Sequence, residues 1–223
     1  MKTIKIDSYE IKKSRSGHDV PVINGVHLHS VYNPIKEAAS MVAKNKELLE
    51  KKKDVLVLGL GFAYHVEEIL RILKEGHGDN LQIVVIEPNK DVYKDARFAT
   101  CLKHPNIKIY FGDYVESYFS DLNLVTFLAS RPAVIAHPAS FNLYSKFFQN
   151  FLTYKAPTNI YSVSSFIDST FLKQYLLQYE QCADINSMVN EQIENKGSYN
   201  ENYDFLLMAF DRMVSPQQTK SEA

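Results

Sequence analysis

The stretch Val55-Leu-Val-Leu-Gly-Leu-Gly-Phe-Ala-Tyr-His65 decides the fold. Its first four residues are continuously apolar, as in a strand buried on both faces. Two glycines follow, Gly59 and Gly61. A segment from about Ala63 to Lys74 then carries Val66, Ile69, Leu70 and Leu73 at helical spacing. A strand that runs through a glycine turn into a helix is the opening unit of a Rossmann-like sheet. Gly59 permits a tight turn and Gly61 lets backbone approach a ligand. The helix that follows offers unpaired amides to anything negative or polar.

Downstream, the same grammar repeats. Gly76 to Asn80 breaks the helix, and Leu81-Gln-Ile-Val-Val-Ile-Glu-Pro88 reads as a second buried strand, with a helix from about Asp91 to Ala99. Ile107 to Asp113 gives a third strand, with a short helix from Tyr114. Pro132 to Pro138 gives a fourth, with an aromatic helix from about Phe141. Apolar strands separated by helices predict a parallel sheet covered on both faces. Upstream, Tyr9 to Lys13 and Val20 to Ile23 are strand-like, and Asn24-Gly25 signals a hairpin turn into Val26-His-Leu-His29. Asn33-Pro34 opens a helix expected to reach about Lys52. The fold class is therefore α/β: a Rossmann-like, mostly parallel sheet with helices on both faces, a β-hairpin opening and a helical C-terminal extension. The expected division is a β-rich opening at 1–30, a Rossmann-like domain at 31–157, a helical extension at 158–214 and a disordered tail at 215–223. In the extension, Ile167, Phe171, Tyr175 and Tyr179 form one stripe and Tyr203, Leu206, Leu207, Phe210 and Met213 another.

Bulk composition narrows the function classes. Of 223 residues, 45% are hydrophobic and 23% charged, and the formal net charge is −1. That balance supports a sizeable core and supplies no global field for a nucleic-acid backbone or an anionic membrane. The one basic run, Lys44 to Lys53, closes a predicted helix, where cations favour the dipole. Cys101 and Cys182 stand in unrelated contexts, which excludes a disulfide framework or a zinc ribbon. The N-terminus lacks an apolar signal region, and the longest mostly apolar stretch, Val55 to Val66, is too short to span a bilayer. A soluble cytoplasmic chain is expected, with no nucleic-acid or membrane partner.

The candidate binding residues end strands or begin the turns after them. Glu87 closes the second strand, where a carboxylate can accept from both ribose hydroxyls. Asp113 closes the third, placed to meet an adenine ring. With Gly59, Gly61 and Asn89 they form the expected cofactor-binding set, with His137 on the same rim. His137 is the candidate acid–base residue, and His65 is expected to reach the same crevice. His27 and His29 stand two apart on an expected strand, on one face, without a third ligand at matching spacing. No bound metal is expected.

Four segments together resemble the bacterial motility accessory factor family. They are His29-Ser-Val-Tyr-Asn-Pro-Ile-Lys-Glu-Ala-Ala39, Gly59-Leu-Gly-Phe-Ala-Tyr-His65, Ile86-Glu-Pro-Asn89 and His137-Pro-Ala-Ser-Phe141. The continuous match runs from about His29 to Phe111, and Ala63 stands where the family has its third glycine. The resemblance implies a role in glycosylating flagellin with nonulosonic acids. Full-length members are glycosyltransferases that use activated sugars and carry a further central domain. The part matched here is similar to their N-terminal Rossmann-like domain. Flagellin, or a separate catalytic domain, is then the expected partner, with self-association through the C-terminal helices. The same order of strand, loop and acid is similar to class I methyltransferases that bind S-adenosylmethionine. A nucleotide-sugar and S-adenosylmethionine are thus the two cofactor expectations. A third reading is a non-catalytic scaffold, suited by the aromatic stretch from Tyr144 to Tyr179. The glycosyltransferase-type domain ranks first, the scaffold second and the methyltransferase third. Because no acid–base pair follows residue 150, the isolated chain is not expected to transfer sugar by itself.

Overall fold

The computed structural model describes residues 4–165, 167, 169–179, 181–182, 187–188 and 190. The chain divides into two compact units, Met1–Tyr154 and Lys155–Ala223. In the first, β1 (Tyr9–Lys13), β2 (Asp19–Ile23) and β3 (Val26–His27) form an antiparallel sheet in that order. Asn24 and Gly25 turn the chain with φ of 52° and 78°, the double left-handed geometry that Asn-Gly favours. The opening segment belongs to the same unit as the main sheet, because Ile23 and Leu28 pack into one core with Leu56, Leu58, Val84 and Ile86.

The helix expected from Pro34 to Lys52 is two helices, α1 (Pro34–Ala43) and α2 (Lys46–Lys51). Asn33 caps α1 by accepting from the Lys36 amide. The break falls at Asn45, whose side chain donates to the Met41 carbonyl and competes with the helix ladder.

The main sheet is built from β4 (Asp54–Leu58), β5 (Gln82–Glu87), β6 (Ile107–Phe111) and β7 (Ala133–Ala136). All pairs are parallel, in the order β6-β5-β4-β7. Between them run α3 (Tyr64–His77), α4 (Lys90–Ala96), a 3-10 turn at Thr100–Lys103, α5 (Val115–Tyr118) and α6 (Leu122–Ala129). Helices α7 (Pro138–Leu143) and α8 (Ser145–Leu152) follow β7. The strands are apolar on both faces because each face has its own core. Val55, Val57, Ile83 and Val85 pack with Val66, Ile69 and Leu73 of α3. Leu56, Leu58, Val84 and Ile86 pack with Phe147, Phe148 and Phe151 of α8. Each such side chain contributes roughly 1.5–3 kcal/mol by leaving water.

The chain proceeds outward from β4 through β5 to β6, then returns to the other side of β4 with β7. Strand order therefore reverses between β4 and β7. At such a reversal the following loops diverge to opposite faces and leave a crevice above the carboxyl ends of the strands.

In the second unit, α9 (Ile160–Ser164) and α10 (Thr170–Leu177) enclose a small cluster of Ile160, Leu176 and Met188. Of the first expected stripe, Tyr175 is buried, Ile167 and Tyr179 are half-buried, and Phe171 is exposed. The second stripe, Tyr203 to Met213, and the tail at 215–223 lie outside the described residues. Among the described residues no helix is long and apolar enough to cross a membrane.

Candidate functional site

The turn after β4 is held from several sides. The Gly59 amide donates to Ile86 O at 2.9 Å, and the Ala63 amide to Leu60 O at 2.9 Å. Gly59, Gly61 and Ala63 all have positive φ, at 97°, 49° and 65°. A Cβ at Gly59 would collide with Ser140, and one at Gly61 with the His29 ring. Glycine is thus required because the protein's own side chains approach the loop. Ala63 accepts a left-handed backbone at a cost of about 1–2 kcal/mol.

Glu87 lies beneath this loop with 0% exposure. Its Oε2 accepts from the Leu60 amide at 2.8 Å and its Oε1 from the Asn89 amide at 2.9 Å. Burial pushes its carboxyl up to about 7, while the amide bonds from Leu60, Asn89 and Gly61 pull the other way. Both oxygens are engaged by main chain, so neither is presented to ribose hydroxyls. Asn89 is also buried: its Oδ1 accepts from the Asp91 amide at the start of α4, and its Nδ2 donates to Tyr144 Oη at 2.9 Å.

The single rim expected around Gly59, Gly61, Glu87, Asn89, Asp113 and His137 is divided in the structure. Asn89 and Asp113 line a pocket of about 380 Å³ with Lys90, Asp91 and the Ile4 to Ile6 segment. His137 lines a different one, of about 330 Å³. Gly59, Gly61 and Glu87 line neither, since His29 and Ser140 fill the space over the glycines.

The second pocket lies at the strand-order reversal and is walled by three buried imidazoles. His29 follows β3, His65 lies in the first turn of α3, and His137 stands between β7 and α7. His65 and His137 stack at 4.4 Å with planes 6° apart, and His29 sits 4.7 Å from His137 and 5.9 Å from His65. His29 Nε2 accepts from the Phe62 amide at 2.9 Å, which makes the ring part of the glycine loop. Its edge meets the Tyr64 ring at 5.0 Å, and Tyr64 Oη donates to Asp19 O. His65 Nε2 lies 2.9 Å from Gly59 O and donates to it, which leaves Nδ1 as a bare lone pair. His137 Nδ1 pairs with Ser140 Oγ at 2.8 Å. Burial lowers the pKa of all three, to about 3 for His65, so the cluster is neutral near pH 7. Helix α1 completes the pocket with Glu37 and Ser40, and Lys44 joins them just past its end.

The expected meeting of His65 and His137 is present, and His29 joins them. His27 does not: β3 ends at His27, which pairs with Val22, and the chain leaves the strand before His29. The two histidines therefore do not share a strand face. The signal that could have found the cluster is that His65 and His137 each follow a strand closely. Only the adjacency of β4 and β7 turns that into proximity.

No family model matches the chain, and no curated protein matches it. Among solved structures it is similar to MnmC2 from Aquifex aeolicus, with a TM-score of 0.37 and 18% identity. That alignment covers 52% of this chain and 46% of the other, so this chain spans less than half of that structure.

Proposed function

We propose that this chain is a Rossmann-like recognition domain of the motility accessory factor type, serving nonulosonic-acid glycosylation of flagellin by binding or docking. The observation that most supports this reading is the convergence of the four segments that carry the resemblance. His29 of the first accepts from the Phe62 amide of the second, and Glu87 of the third accepts from the Leu60 amide. His137 of the fourth stacks on His65 of the second. The segments are far apart in sequence, yet each supplies a group that holds another.

The same contacts favour recognition over transfer. A cradle for a leaving nucleotide needs loop amides that point outward. Here the amides of Gly59, Leu60, Phe62 and Ala63 all donate inside the protein. In this reading the ligand enters the pocket of about 330 Å³ beside the imidazoles. That volume is at the small end for ligand sites and suits a sugar ring better than a whole nucleotide-sugar. Lys44 on its wall gives the carboxylate of an acidic sugar an opposite charge.

The test is to immobilise the purified chain and offer flagellin monomer and a CMP-activated nonulosonic acid, singly and together. The expected result is retention of one or both, with no sugar-sized mass gain on flagellin. Retention of neither would contradict the reading. So would a mass gain that is abolished by His137→Ala.

A further inference from the structure

We infer that His29, His65 and His137 form a site for one divalent transition-metal ion of the zinc class, opening onto the pocket at the β4–β7 reversal. This stands on side-chain geometry alone and holds whichever organic ligand the pocket takes.

One candidate nitrogen from each ring lies within 4.8 Å of the other two. Zinc–nitrogen bonds of about 2.0–2.1 Å in a tetrahedron set ligand nitrogens about 3.3 Å apart. Closing that difference requires the rings to turn, because the in-plane lone pairs of His65 and His137 run nearly parallel in the stacked pair. His65 carries the strongest indication. Among the described residues its Nδ1 is the buried side-chain polar atom left without a hydrogen-bond partner, in a residue only 1% exposed. Its other nitrogen donates to the Gly59 carbonyl, the kind of contact that fixes ring and tautomer in metal-binding histidines. A stranded lone pair costs about 1–3 kcal/mol, and two more imidazoles stand against it. A cation would give this lone pair and the two neighbouring rings a shared partner.

His137 has the same division of labour: Nδ1 engages Ser140 Oγ at 2.8 Å, which leaves Nε2 for a metal. His29 needs a rearrangement, because its Nε2 accepts from the Phe62 amide. Rotation of that ring exchanges one neutral hydrogen bond, worth about 1 kcal/mol, for a coordination bond. Glu37 Oε2, 3.8 Å from His29 Nδ1, adds negative charge at the edge of the site. An all-imidazole donor set selects zinc, cobalt, nickel or copper over calcium or magnesium, which prefer oxygen. Three protein ligands leave a fourth position towards the pocket.

The experiment strips the protein with a chelator and titrates the full chain with Zn²⁺ by calorimetry and with Co²⁺ by visible absorption. One ion per chain and a tetrahedral cobalt spectrum are expected. His65→Asn and His137→Gln should each weaken binding by more than about 100-fold, while His27→Gln leaves it unchanged. Binding that is absent, or not stoichiometric, overturns the inference. So does full affinity in either cluster variant, or an equal loss in His27→Gln. X-ray absorption at the zinc edge of the unaltered protein reads the ligands without relying on variants. A shell of three imidazoles plus a light atom is expected, and a sulfur-containing or all-oxygen shell overturns it.

Discussion

The imidazoles of His65 and His137 stack 4.4 Å apart with planes 6° from parallel. One begins the helix after β4 and the other follows β7, so their contact is a direct product of strand order. Two parallel rings at this distance cannot both carry charge cheaply in a buried site. Beyond what burial already does, His65 and His29 both depress the proton affinity of His137, and His29 depresses that of His65.

This arrangement sets the acid response of the metal-stripped protein. The three histidines titrate below their ordinary 6.5 in the folded state, so the stability they contribute is present above pH 6.5 and is lost as pH falls. Glu87 works in the opposite sense. Its folded pKa is raised from 4.5 to about 7, so its contribution is present below 4.5 and is lost as pH rises through 7. Between pH 6.5 and 4.5 the histidines outnumber the glutamate, and stability should fall by roughly 1–3 kcal/mol per pH unit. Urea denaturation with chelator present reads this, and Glu87→Gln should steepen the fall. Stability that holds or rises on acidification would contradict it.

The alternation of strands and helices was legible because Val55 to Leu58 and Ile83 to Ile86 are apolar at every position, and a sheet with two cores demands that. The Asn24-Gly25 turn and the Asn33 cap were legible because each rests on local chemistry. Helix α6 was not read, although Asp121 caps it and accepts from the Leu124 amide. It is short, and its buried side is only Leu124 and Phe127. Glu87 was placed correctly at a strand end, but its role depends on where the Leu60 and Asn89 amides point, which no spacing reveals. The histidine cluster was half legible. His65 and His137 were expected in one crevice, whereas His29 was paired with His27 because residues two apart on one strand share a face, and β3 ends at His27.

Gly61→Ala should cost roughly 2–4 kcal/mol of stability. The residue has φ of 49°, and the added methyl meets the His29 ring that accepts from Phe62. Gly76→Ala is the control: the glycine lies inside α3 with nothing within 4 Å of the new methyl, and alanine there should add up to about 1 kcal/mol. Thermal and urea denaturation of the two variants should move in opposite directions. Equal effects would mean that the loop is not packed as described.

Tyr144→Phe should destabilise by about 1–3 kcal/mol, because the buried Asn89 Nδ2 loses its acceptor. The loss should shrink when Asn89 is already alanine, giving a coupling of about 1 kcal/mol or more in a double-mutant cycle. Additive effects would show that the Asn89–Tyr144 bond does not tie the second sheet turn to the helical layer.

The most direct test of recognition at the β4–β7 pocket is calorimetric titration of the chain with a free nonulosonic acid, beside a Ser40→Trp variant. Ser40 lies on α1, exposed, on the wall of the pocket and outside both apolar cores, so an indole there obstructs the space without disturbing the fold. The expected result is saturable one-site heat for the native chain and at least a tenfold loss of affinity in Ser40→Trp at unchanged melting temperature. Absence of saturable heat in the native chain, or equal affinity in the two proteins, would contradict recognition at this pocket.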